Sequence, residues 1–285
     1  LLEAIKAEWG SNQVDYIAGC DFAGNLLSDG LAEAAARADK IVLCLGEPSY
    51  TEFFGSLDDL HLPDEQLVLA EEVINCDKPV ALVLLQGRPR VISRFDEDMP
   101  AILTSFLPGH GGARAIAGVL SGRINPSGRL PLTYPRYPNN LMAYDHKATE
   151  NQQLQGAKSA FDPAFEFGHG LSYSEFKYHN LQLDKATFSK KESITISVTV
   201  TNLSERSGGQ IVQLYSRDHF ASVTPSVRRL RKVQRLELES GASKDVTFQL
   251  TAEDLGFVGR DMQWVTEPGM FSLMIADQEV ECEYV

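Results

Sequence analysis

The sequence has little positive charge and no long apolar run. Lysine and arginine number 26 against 39 aspartates and glutamates, which gives a formal net charge of −13. Polyanions such as nucleic acid are poor partners for a chain with this balance. No stretch is long and apolar enough to span a bilayer. We therefore expect neither nucleic acid nor a membrane as a partner.

Cysteine is scarce and scattered. The four cysteines are far apart in the chain, with no CxxC spacing and no pair of histidines beside them: Cys20, Cys44, Cys76 and Cys282. This distribution supports neither a disulfide framework nor a metal site. We expect four free thiols, no bound metal and no cofactor.

The first 135 residues alternate between strand and helix patterns. Apolar runs of strand length, too short for buried helices, cover 41–45, 79–85 and 101–106. Helical patterns cover Leu1 to about Gly10, 31–36 with Ser28 as a cap, 64–74 and 112–120, and a short strand is predicted over Val14–Ile17. Continuous apolar strands alternating with helices predict an α/β domain, a mostly parallel sheet with helices on both faces.

From Tyr178 onward the pattern is all-β. Residues 193–200 alternate strictly between polar and apolar, and further short strands are predicted at 210–215, 227–238, 245–250, 270–275 and 280–284. This spacing is typical of an immunoglobulin-like or fibronectin III-like sandwich. Residues 136–177 show no amphipathic period. We therefore predict an α/β domain over 1–135, a linker crossing it over 136–177 and a β-sandwich over 178–285.

A long acidic loop separates the strand at 41–45 from the helix at 64. Its four carboxylates stand among three aromatic residues: Glu47, Glu52, Asp58 and Asp59 with Tyr50, Phe53 and Phe54. A loop of about sixteen residues is usually functional or disordered, and the aromatic residues argue against disorder. Acids beside aromatic rings indicate carbohydrate chemistry. On the residues alone, a solvated acidic loop is the favoured interpretation of Glu52.

Several motifs, in this order, resemble the carboxyl-terminal half of a glycoside hydrolase family 3 enzyme of the β-glucosidase type. They are Gly46–Glu52 (GEPSYTE), Asp59–Pro63 (DLHLP), Gly87–Pro89 (GRP), Asn125–Pro131 (NPSGRLP), Phe167–Tyr173 (FGHGLSY) and Glu267–Gly269 (EPG). Each motif is weak by itself. Their order and spacing across nearly the whole chain make the resemblance specific.

The resemblance implies a barrel domain, an α/β sandwich and a fibronectin III-like domain, of which this chain holds the last two. It implies a retaining, exo-acting β-glycosidase whose aspartate nucleophile lies on the barrel, so we expect this chain alone to be inactive. β-Glucosidase is the first expectation. β-Xylosidase, exo-β-glucanase and a non-catalytic binding or scaffold module are the alternatives.

In family members with a Tyr-Thr-Glu loop, the glutamate is the general acid/base, which corresponds here to Glu52. Such an acid must keep its proton near neutral pH, and Glu52 has aromatic neighbours. Glu47, directly after the strand, is the rival, although backbone amides at the sheet end could hold it. Asp59 suits a structural role. One departure from the family pattern is Gly111, where many members have an acid.

The partners implied by the resemblance are a β-linked oligosaccharide or aryl glycoside and the amino-terminal barrel of the same protein. The resemblance favours a periplasmic or secreted location. It leaves the sugar, the linkage and a homodimer open.

Overall fold

The computed structural model describes residues 1–140, 143–151 and 161–285. These residues form two compact units. The α/β unit contains 1–124, 134–140 and 163–165, and the β-sandwich unit contains the remaining described residues. The predicted domain boundaries stay a prediction, and part of the predicted linker, 152–160, lies outside the described residues. In the described part of the chain, no helix is both long and apolar enough to cross a bilayer.

The α/β unit contains nine regular elements. In chain order they are α1 (Leu2–Trp9), β1 (Gly19–Cys20), β2 (Leu26–Leu27), α2 (Leu31–Arg37), β3 (Ile41–Gly46), α3 (Asp64–Ile74), β4 (Val80–Leu85), β5 (Ala101–Thr104) and α4 (Gly109–Leu120).

A three-stranded parallel sheet forms the centre of this unit. Its strand order is β3-β4-β5, with Ile41 opposite Val80 and Gly46 opposite Leu85. The central strand is the most buried, as its continuous apolar sequence requires. Helix α3 packs against β3, whereas α1 packs against α4. The predicted parallel sheet with helices is confirmed.

Three local predictions are wrong. Residues 14–17 form no strand, because alternation needs a partner strand to pair with, and Tyr16 is 63% exposed. The cap of α2 is Gly30 rather than Ser28, since the chain turns there through φ 80°, a left-handed value that favours glycine. Helix α4 begins at Gly109, three residues before the predicted start, with Pro108 as its cap.

The β-sandwich unit holds the remaining elements. They are β6 (Phe176–Leu183), β7 (Thr187–Phe188), β8 (Ser193–Asn202), β9 (Gly208–Asp218), β10 (Arg229–Leu238), β11 (Ser243–Thr251), α5 (Ala252–Leu255), β12 (Phe257–Val258), β13 (Trp264–Val265), β14 (Gly269–Ile275) and β15 (Gln278–Tyr284).

Two larger sheets form the sandwich, with strand orders β10-β9-β14-β15-β7 and β11-β8-β6, and β12 and β13 form a separate two-stranded sheet. Strand β8 buries every second side chain: Ile194, Ile196, Val198 and Val200 are each at most 1% exposed. They share one core with apolar residues of the other sheet, such as Leu214, Phe271 and Leu273. The predicted β-sandwich is confirmed.

Tyr134 joins a later segment of the chain to the α/β unit. Its side chain is 1% exposed, its hydroxyl donates to the carbonyl of Arg90 at 2.7 Å, and it accepts from Gln86 Nε2 at 2.8 Å. Burial raises the pKa of Tyr134 to about 12. The phenol therefore stays protonated and donates throughout the physiological pH range.

Candidate active site

The acidic loop leaves the carboxyl end of β3 and returns to the unit at α3. Because β3 and β4 are parallel and in register, their carboxyl ends meet at one edge of the sheet. The residues that follow β4, from Gln86 to Arg90, therefore lie beside the residues that follow β3. This edge is where an open α/β sheet ordinarily carries its functional groups.

Gly46 fixes the start of the loop. A Cβ on Gly46 would lie 1.9 Å from the carbonyl oxygen of Leu85, so only glycine fits. Gln66 on α3, 3% exposed, accepts from the Gly46 amide at 2.9 Å and donates to the Gly46 carbonyl at 2.9 Å. Two hydrogen bonds of the Gln66 side chain thereby join the end of β3 to the start of α3.

Glu47 is held inside the sheet edge. Its side chain is 4% exposed, and Oε2 accepts from the Gly87 amide at 3.1 Å and from the Tyr50 hydroxyl at 3.4 Å. Oε1 forms ion pairs with Arg88 Nε at 3.0 Å and with Arg90 Nη1 at 3.7 Å. The expectation that a backbone amide at the sheet end holds Glu47 is confirmed. A carboxylate bound in this way is a structural anchor.

Arg90 and Asp59 close the far side of the loop. Arg90 is 6% exposed, and burial lowers the pKa of its guanidinium even though Glu47 opposes the shift. Arg90 Nη1 also donates to the carbonyl of Asp59 at 3.3 Å. The Asp59 carboxylate accepts from the His61 amide at 2.9 Å, and this bond lowers the pKa of Asp59. Asp59 thus belongs to the return of the loop toward α3.

Glu52 stands apart from this network. It begins a short 3-10 turn, Glu52–Gly55, and it is exposed. Its backbone has φ 47°, a left-handed value that is uncommon for a residue with a side chain. No hydrogen bond or ion pair joins the Glu52 side chain to any residue that the structure describes. The next residue, Phe53, is 86% exposed. Glu52 therefore presents a free carboxylate beside an exposed aromatic ring.

The sequence reasoning missed three side chains that shape this site: Gln66, Arg88 and Arg90. A signal for two of them was present, since Gly87-Arg88-Pro89-Arg90 directly follows the strand beside β3. Gln66 had no such signal, because a glutamine in the first turn of a helix is typically exposed. No cluster of three metal-ligating side chains occurs among residues 1–140, 143–151 and 161–285.

Two family models match the chain. The glycosyl hydrolase family 3 C-terminal domain matches residues 1–173, and a fibronectin type III-like domain matches residues 210–279. The first match covers the whole α/β unit and continues into the sandwich unit, and the second lies within the sandwich unit.

Curated relatives and solved structures agree with these models. The chain is 35% identical to a lysosomal beta glucosidase of Dictyostelium discoideum over 88% of its own length, and 33% identical to a beta-xylosidase of Formosa agariphila over 96%. Its fold matches a beta-glucosidase of Listeria innocua in complex with gluconolactone, with a TM-score of 0.83 and 31% identity over 90% of the chain.

The chain spans 31% and 39% of the two curated relatives and 38% of the solved structure. The resemblance that the sequence motifs carry is thus confirmed by independent matches over both units. The chain belongs to glycoside hydrolase family 3, of which it carries the C-terminal domain and the fibronectin type III-like domain.

Proposed function

We propose that the chain is the carboxyl-terminal part of a retaining, exo-acting β-glucosidase in which Glu52 is the general acid/base. The observation that carries the proposal is the contrast within one loop. Glu47 is buried and bound by two arginines, whereas Glu52 is exposed with no described partner. A catalytic carboxylate needs access to substrate, and Glu52 has that access.

The proposed reaction is a double displacement at a terminal, non-reducing β-D-glucosyl residue. An aspartate on a preceding barrel domain, outside this chain, attacks the anomeric carbon while Glu52 gives its proton to the leaving oxygen. Glu52, now a carboxylate, then takes a proton from water as the water attacks the glycosyl-enzyme. The same group serves as acid and base, as microscopic reversibility requires.

β-Xylosidase activity is the second candidate, because the Formosa agariphila relative named for it aligns over 96% of this chain. The two candidates share the Glu52 chemistry and differ in the sugar accepted. Kinetics with nitrophenyl β-glucoside and β-xyloside on the protein with its barrel domain separate them.

The test of Glu52 uses that longer protein and the variant Glu52→Gln, which keeps the shape and removes the proton. Acid–base assistance is worth about 10²–10⁴ in rate, so cellobiose turnover should fall by about that factor. A nitrophenyl leaving group needs little protonation, so the glycosyl-enzyme should still form, accumulate and appear as a burst. Azide should restore turnover by attacking without a base, giving a β-glucosyl azide.

Glu47→Gln is the matched control, since it makes the same chemical change five residues earlier in the same loop. We expect it to lower stability, to separate the two leaving groups much less than Glu52→Gln does, and to show no azide rescue. Rescue in Glu47→Gln but not in Glu52→Gln would move the assignment to Glu47. Turnover of an aryl β-glucoside by the purified 285-residue chain alone would refute an external nucleophile.

A further inference from the structure

Arg88 contacts two residues of the acidic loop in addition to Glu47. Its side chain is 25% exposed, and its Nε forms the ion pair with Glu47 at 3.0 Å. Its Nη1 donates a hydrogen bond to the carbonyl of Gly55. The guanidinium carbon also lies 4.1 Å from the centre of the Tyr50 ring. One planar cation thus joins the sheet edge to two points of the loop.

Those two points flank Glu52. Tyr50 precedes it by two residues, and Gly55 is the last residue of the turn that Glu52 begins. Tyr50 is itself confined, because a Cβ on Gly55 would lie 2.7 Å from its ring and a Cβ on Gly87 would lie 2.2 Å from its hydroxyl. The segment between Tyr50 and Gly55 is therefore fixed at both ends, whereas Thr51, Glu52 and Phe53 between them are exposed.

This arrangement also accounts for the left-handed backbone of Glu52. A residue with a side chain holds φ 47° only where its surroundings impose that conformation. Phe53 is too exposed to impose it, and the Glu52 side chain contacts no described partner. The contacts of Arg88 at Tyr50 and Gly55 supply such a restraint on both sides of Glu52.

We propose that Arg88 is the positioning residue of the acid/base: anchored on Glu47, it holds Tyr50 and Gly55 and so sets where the Glu52 carboxylate stands. The proposal rests on the proposed function of Glu52. Arg88 touches neither substrate nor the reacting atoms in this role, and its effect on rate passes through Glu52.

The test combines two substitutions in the protein with its barrel domain. Arg88→Met keeps an unbranched apolar stem and removes the guanidinium. Displacement of a catalytic group by about 1 Å can cost about 10²-fold, so we expect cellobiose turnover to fall by about 10- to 100-fold. Formation of the glycosyl-enzyme from a nitrophenyl glucoside should fall less.

The decisive measurement is the double variant. If Arg88 acts through Glu52, then Arg88→Met should cost less than about twofold in the Glu52→Gln background, because residues that act as a unit are non-additive. Arg88→Lys should fall between wild type and Arg88→Met, since an ammonium can pair with Glu47 but cannot reproduce the planar fork and the stacking on Tyr50.

Arg94→Met is the matched control. Arg94 pairs with Glu71 at 2.6 Å on the surface, and no hydrogen bond or ion pair joins its side chain to the described residues of the turn. We expect unchanged turnover for both substrates. Thermal unfolding of each variant checks that the fold persists, and Arg88→Lys serves as the test variant if Arg88→Met does not fold.

The outcomes separate the two proposals. If Glu52→Gln shows azide rescue but Arg88→Met costs as much in the Glu52→Gln background as in wild type, the positioning role is wrong and the function of Glu52 stands. Equal losses on both substrates would overturn the positioning role in the same way. If Glu52→Gln shows no rescue, both proposals fail.

Discussion

The two units of this chain keep their charges in different places. In the α/β unit, the ion-paired side chains of Glu47, Asp96 and Arg90 are only 4%, 6% and 7% exposed. In the β-sandwich unit, pairs such as Arg217–Glu279 and Lys185–Glu192 are a third or more exposed. Two of these buried groups, Glu47 and Arg90, lie at the sheet edge that carries the acidic loop, whereas Asp96 lies in the turn that precedes β5.

The difference follows from the cost of burying charge. An ion pair removed from water gains little net stability unless other hydrogen bonds satisfy it, so buried pairs are weak evidence for a stabilising role. The sandwich is stabilised mainly by apolar packing, and the side chains of its described ion pairs keep a quarter or more of their surface exposed. The α/β unit buries the charges of Glu47 and Arg90 where the acidic loop meets the sheet.

Each unit contains one of the two tryptophans, Trp9 and Trp264. Variants with a single tryptophan, Trp264→Phe or Trp9→Phe, therefore give a fluorescence signal from one unit at a time. The free energy of unfolding of each unit can therefore be followed by the fluorescence of its own tryptophan.

The largest expected effect is in the sandwich core. Phe271 is 1% exposed, and truncating a buried phenylalanine leaves a cavity, so Phe271→Ala should lower the free energy of unfolding by about 3–5 kcal/mol. Urea unfolding followed by Trp264 fluorescence measures it. The neighbouring Met270, 37% exposed, supplies the control Met270→Ala, with a change within about 0.5 kcal/mol. Equal losses in the two variants would contradict a packing-based sandwich.

A smaller loss is expected at the sheet edge of the α/β unit. Glu47→Gln leaves Arg88 and Arg90 without their carboxylate, and breaking a buried pair in this way costs about 3 kcal/mol. Urea unfolding followed by Trp9 fluorescence measures it. Glu71→Gln is the control, because the Glu71–Arg94 pair is nearly half exposed and is worth about 0–1 kcal/mol. If both variants lost the same free energy, burial would not explain the role of Glu47.

The sequence predicted most of the framework and only part of the site. Strand β3 and helix α3 were predicted within one residue, because apolar runs and a proline followed by acids carry local signals. The state of Glu47 depends on Arg88 and Arg90, about forty residues away, and on the register of two parallel strands. Local sequence patterns do not determine that register, so the roles of Gln66, Arg88 and Arg90 became apparent only in the structure. The role of Glu52 stays a prediction.

The smallest expected effect is a pH dependence in the α/β unit. Burial raises the pKa of Asp96 above its ordinary value of 3.8, although Arg136 opposes the shift. The folded chain then binds the proton more tightly than the unfolded chain, so this stability contribution is complete below pH 3.8 and is lost as pH rises through the folded pKa. Asp96→Asn carries no charge at this position, so it should become more stable relative to wild type as pH rises through the folded pKa of Asp96.

Urea unfolding of the Trp9-only protein at several pH values from 3.5 to 7 gives the comparison between Asp96→Asn and its parent. A difference in free energy of unfolding that stays constant with pH would show that the Asp96–Arg136 pair offsets the burial cost. The charge contrast between the two units would then have no consequence for titration at this position.

The left-handed backbone at Glu52 has a consequence for directed evolution. Glycine, and to a lesser degree asparagine, adopt this conformation at lower cost than glutamate does. A library randomised at position 52 and screened only for thermal tolerance would therefore enrich those residues and discard the carboxylate. Under the proposed role of Glu52, screening for thermal tolerance and screening for turnover would select different residues at this position.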